Sequence, residues 1–131
     1  MKYLMLIYSN PENWEHPTFL HRPEFSALPQ KERDELGEQF ETLLKEITES
    51  GELISGTPLA DPVNTRTVRV RDGVPATTDG PYLESKEQLA GYFVVDCETP
   101  ERAAEIASRF PDARFAAVEV RPIMDMSGQE M

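Results

Sequence analysis

The chain has 131 residues, 39% of them hydrophobic and 28% charged, which is enough for one domain with a core of its own. Its 13 basic and 24 acidic residues leave a net charge of −11, which repels nucleic-acid phosphates and anionic membrane surfaces, so neither is an expected partner. Cys97 is the single cysteine, which excludes an internal disulfide and fits a reducing cytoplasm.

Residues 2–8 are apolar on both alternating faces: Tyr3, Met5 and Ile7 on one, Leu4, Leu6 and Tyr8 on the other. That pattern predicts a strand covered on two sides, and the run is too short for a signal peptide or a membrane span. Residues 11–28 carry Pro11, Pro17 and Pro23, with Trp14, His16, Phe19 and His21 between them. They read as a long irregular loop ordered by its aromatics, the kind of segment that closes over a site. His21 is its candidate general base, and Trp14 and His16 are candidate substrate contacts. Glu12, Glu15 and Glu24 lie near the histidines, but the spacing matches no compact metal site, and no metal is expected.

From residue 29 to 50 the pattern is helical, with Leu36, Phe40, Leu43, Leu44 and Ile47 on one stripe and Gly51 suited to the turn beyond. Residues 52–59 read as a second strand. Residues 65–71 and 74–78 read as a hairpin about Asp72-Gly73, since a tight two-residue turn needs positive φ. Residues 89–97 form another two-sided apolar strand. Thr99 and Pro100 open a second helix that buries Ala103, Ile106, Ala107 and Phe110, and Pro111 stops it. Residues 115–123 are the last strand. The domain is expected to span 1–124, with 125–131 as a frayed tail.

This order gives an α+β fold: a ferredoxin-like antiparallel sheet with two helices on one face and an extra hairpin. Two helices cover one face only, so the two-sided strands call for a second copy packed sheet to sheet, a homodimer.

The densest polar stretch runs "TTDGPYLESKEQLAGYF", residues 77–93. Asp79-Gly80-Pro81 suits a turn on structural grounds alone. Asp79 is also the candidate acid or base if it faces an apolar pocket, with Tyr82, Glu84 and Lys86 as candidate substrate contacts. Against that stands a solvated Glu84/Lys86 pair and a capping arrangement between Ser85 and Gln88. No phosphate-binding glycine loop, nucleophile elbow or zinc-helix motif occurs, and no cofactor is expected.

"MKYLMLIY", the Asp79-Gly80-Pro81 turn with Glu84-Ser85-Lys86-Glu87 after it, the Gly91-Tyr92 strand and "VEVRPI" together resemble the YCII-related proteins, in particular the branch named for an Asp-Gly-Pro-Phe motif. Tyr82 stands here in place of the Phe. The likeness spans nearly the whole chain and implies a ferredoxin-like fold assembled as a dimeric α/β barrel. It also implies suspected enzymatic activity, through a histidine and an aspartate, with no settled reaction. Two functions follow: a cofactor-free small-molecule enzyme using Asp79, or a noncatalytic ligand-binding or regulatory dimer.

Overall fold

The computed structural model describes residues 1–10, 14–83 and 85–131. Strand β1 (Lys2–Ser9) sits inside a four-stranded antiparallel sheet of order β2-β5-β1-β6, where β2 is Leu53–Pro58, β5 is Gln88–Asp96 and β6 is Val118–Pro122. β1 and β2 are separated by β5, and the 20-residue helix α2 (Gln30–Glu49) makes the crossover between them. A second crossover through α3 (Pro100–Ser108) joins β5 to β6, which completes a ferredoxin-like order.

The register puts Tyr3 opposite Val95, Met5 opposite Phe93 and Ile7 opposite Gly91, so one apolar row of β1 meets one row of β5. Helices α2 and α3 cover that face, burying Leu43, Ile47, Ala103 and Ile106 against Tyr3, Met5 and Val95. The other row, Leu4, Leu6 and Tyr8, is half-buried and falls beside Tyr92 and Val94 of β5. At the helix ends the local chemistry is as the sequence reads. Thr99 accepts the Arg102 N–H at 3.1 Å, and Gly51 takes φ of 82° just past α2.

The sheet is open, with β2 and β6 at its edges, so one chain by itself closes no barrel. Three differences from the sequence reading matter. Among the described residues there are four α-helices rather than two; the added ones are short, α1 (Pro23–Ser26) and α4 (Asp112–Phe115). The residues from Thr18 to Ser26 are not irregular: a 3-10 turn at Thr18–His21 leads into α1. Phe19 and Phe25 there are buried with Leu36, and edge-to-face rings link Phe25 to Phe19 and Phe19 to Phe40 at 5.5 and 5.4 Å. Finally, the tail folds back. Met131 N–H donates to Ile123 at 2.7 Å and the Met131 carbonyl accepts from Lys2 at 2.5 Å, which adds it to the start of β1.

The hairpin of β3 (Arg66–Arg71) and β4 (Val74–Asp79) is a separate two-stranded sheet, turned by Asp72 and Gly73 at φ of 51° and 75°. Away from it, Arg102 forks onto Glu52 at 2.8 and 2.9 Å and reaches Glu46 at 3.1 Å, tying α3 to α2 and to the residue before β2. This bonding holds the Glu52 carboxyl down at about 2.

Candidate functional site

Where the C-terminal end of β2 meets β5, two glycines leave no room for a Cβ. A Cβ on Gly91 would lie 2.8 Å from the Thr57 carbonyl oxygen, and one on Gly56 would lie 2.8 Å from the Phe93 ring. The space left free is part of a pocket of about 280 Å³. Ile7, Phe93 and Ala90 line it from the sheet, Phe40 from α2, and Pro58 from the end of β2. His16, Pro17 and Thr18 line it from the loop, and Asp112 from α4. His16 and Pro17 of the loop and Gly56 and Pro58 of β2 are exposed, so the mouth lies between the loop and the edge strand, while Thr18 and Asp112 are buried.

The loop is pinned by one backbone carbonyl. Leu59 oxygen accepts the Trp14 indole N–H at 2.9 Å and contacts His16 Nε2 at 2.7 Å, while Leu59 N–H donates to Ala90 at 2.8 Å. A carbonyl only accepts, so Nε2 of His16 carries the hydrogen, and Nδ1 is the nitrogen left to take a proton.

Asp112 is 6% exposed among these apolar groups. Burial pushes its carboxyl up to about 6, against the opposing pull of its own backbone N–H, the Arg22 charge, the Thr18 hydroxyl and His16. Arg22 is itself only 5% exposed. It forks onto Glu87 at 3.2 and 3.1 Å and reaches the Phe115 carbonyl at 3.5 Å, so it joins the loop to α4 and to the residue before β5. Its Nε lies 3.5 Å from Glu24.

Of the described residues expected at the site, His16 alone lines this pocket. Trp14 is half-buried and edge-on to His16, with centroids 6.3 Å apart. His21 faces Glu15 at 3.4 Å instead. Asp79 is exposed at the end of the hairpin, opposite Arg66. Its turn is closed by Gly80 N–H on Thr65 at 2.7 Å and by the Thr67 hydroxyl on the Gly80 carbonyl at 2.8 Å. Tyr82 is 68% exposed beneath the Arg69 guanidinium, 5.0 Å from its ring centre, and borders a different groove with Pro62 and Leu89. Lys86 is exposed, and Glu84 lies outside the described residues.

The charged stretch before β5 therefore acts as a clip. The Gln88 amide donates to the carbonyls of Leu83 and Ser85, both at 3.1 Å, the Ser85 hydroxyl donates to the Glu87 carbonyl, and Glu87 holds Arg22. Sequence reasoning missed Asp112 and Arg22. The available signal was a carboxylate placed directly after the helix-stopping Pro111 and between Phe110 and Phe115, where nothing polar is needed. Among the described residues no group of three or more His, Cys, Asp and Glu is arranged to hold a metal, and no helix is long and apolar enough to cross a membrane.

A family model described as the YCII-related domain matches residues 1–127. The chain is also similar to an uncharacterised protein of Rhizobium meliloti, 28% identical over 100 residues, which cover 75% of this chain and 81% of that one.

A raised carboxyl binds its proton more tightly folded than unfolded, so its contribution to stability is full at low pH and is lost as pH rises through about 6. Relative to Asp112→Asn, the wild-type protein should lose on the order of 3 kcal/mol between pH 4 and pH 7. The depressed Glu52 acts in the opposite sense and at lower pH, and it cancels in the comparison. Urea denaturation of both proteins across this range measures the difference. A difference that does not change with pH would contradict the burial of an ionisable Asp112.

Proposed function

This chain belongs to the YCII-related domain family, and we propose that it is a small-molecule enzyme whose acid–base group is Asp112. The observation that carries the reading is a buried carboxyl that makes no ion pair among the described residues, in an apolar pocket that opens between the loop at His16 and the edge strand β2. Held up to about 6, it exchanges its proton near neutral pH, where general acid–base catalysis works best. The Thr18 hydroxyl holds the carboxylate in place, and Nδ1 of His16 is the second proton-handling atom, at the mouth. Asp79, Tyr82 and Lys86 become parts of the hairpin and its exit rather than of the chemistry. The Asp79-Gly80-Pro81-Tyr82 turn supports placing the chain in the Asp-Gly-Pro-Phe branch of the family. The one thiol, buried at Cys97, supports a cytoplasmic setting.

The functional unit in this proposal is a homodimer. Helices α2 and α3 cover one face of the sheet, whereas Leu4, Leu6, Tyr92 and Val94 form an apolar row on the other. That row is the natural seat for a second copy.

Two measurements test these readings. Nitrobenzisoxazole is a neutral bicyclic molecule that opens when a base removes its ring C–H proton: the N–O bond breaks and a cyanophenolate is released. A desolvated carboxylate accelerates this step. The wild-type protein should catalyse it with a rate that rises through about pH 6, Asp112→Asn should lose about a hundredfold or more, and Asp79→Asn should keep the wild-type rate. Binding without any Asp112-dependent rate would favour the noncatalytic ligand-binding alternative. For the assembly, light scattering should give about twice the 14.8 kDa of one chain, and a monomer at micromolar concentration would defeat the dimer.

A further inference from the structure

Resting on that reading of the pocket, we infer that its ligand is a compact, largely apolar molecule of about a dozen non-hydrogen atoms that carries a hydroxyl or amino donor and no anionic group. Size comes from volume. An apolar cavity of about 150 Å³ is filled by benzene, and this one, at about 280 Å³, has room for roughly twice that. Polarity comes from the lining. Ile7, Phe40, Pro58, Ala90 and Phe93 offer only carbon to the ligand, so most of its surface must be apolar to repay its desolvation.

The charge rule follows from what the lining holds and what it lacks. Asp112 is a carboxylate above about pH 6, and among the described residues no lysine or arginine lines the pocket. The nearest guanidinium, Arg22, is taken by Glu87 through two bonds and by Glu24 at 3.5 Å. An anion entering here would lose its water, meet a like charge and find no cation to pair with. A hydroxyl or amine instead gives the buried carboxylate the donor that water would otherwise supply. At the mouth the Nε2 hydrogen of His16 is engaged by the Leu59 carbonyl, so that nitrogen offers no donor to an anion.

The test uses three molecules of one shape: naphthylmethanol, naphthylmethylamine and naphthoate. Trp14 is the only tryptophan and sits edge-on to His16, so its indole N–H resonance reports binding at the mouth. At pH 8 the alcohol and the amine should shift that resonance with dissociation constants at least tenfold below that of naphthoate. Asp112→Asn should narrow the gap between naphthoate and the alcohol severalfold by removing the like charge, and should weaken the amine, which is an ammonium at pH 8 and loses its counter-charge. Naphthoate binding to the wild type as tightly as the alcohol would overturn the charge rule and leave the pocket itself standing. An unchanged preference in Asp112→Asn would overturn the assignment of that rule to Asp112. If none of the three binds, the pocket is no ligand site and both readings fall together.

Discussion

The burial of one carboxyl shapes the rest of this molecule. Asp112 lies at the start of a single helical turn, between the Phe110 that seals the main core and the Phe115 that seals the second one. Leaving a carboxylate there costs free energy that a hydrophobic residue would not. The chain limits that cost rather than removing it. A hydroxyl, a backbone N–H and the field of Arg22 all lower the energy of the anion, yet the carboxyl still sits well above its ordinary range. A direct Asp112–Arg22 fork would have pulled it far down, and the protein spends that fork on Glu87 instead.

The space around the carboxyl has an equally specific origin. Two glycines on neighbouring strands, Gly56 and Gly91, stand where a Cβ would run into Phe93 or into the Thr57 backbone. Their absence of side chain lets β2 approach β5 and leaves room over the sheet end. The loop then closes on that end through Leu59, whose carbonyl follows Pro58 at the end of the strand. Loop, strand end and α4 thus meet at the pocket, although they come from three distant parts of the chain. The aromatic rings from Phe25 through Phe19, Phe40 and Phe110 to Phe93, spaced 5.5, 5.4, 5.8 and 4.9 Å, run from the loop into the main core and hold the three together.

Much of the framework was legible in the residues. Periodicity located both long helices, alternation located the strands, Asp72-Gly73 located the hairpin, and the order of elements led to the ferredoxin-like sheet. These signals are local, and local signals survive in a sequence. The pocket was not legible for the opposite reason. Arg22 and Glu87 are partners across 65 positions, and the turn that holds Asp112 is four residues long, too short to show a period. The polar density after Asp79 drew attention to a stretch that works as a clip, with Glu87 making the long-range bond to Arg22. Of the two loop histidines, the sequence put His21 forward as the base and His16 as a contact; it is His16 that lines the pocket and meets the Leu59 carbonyl, while His21 faces Glu15.

The central claim is that Asp112 changes charge near neutral pH because it is buried. Carbon-detected NMR follows its side-chain carboxyl directly, and the assignment is secured by its loss in Asp112→Asn. The account predicts a titration midpoint near about 6. A midpoint near the ordinary aspartate value of about 4 would show a solvated carboxylate and contradict the account at its root.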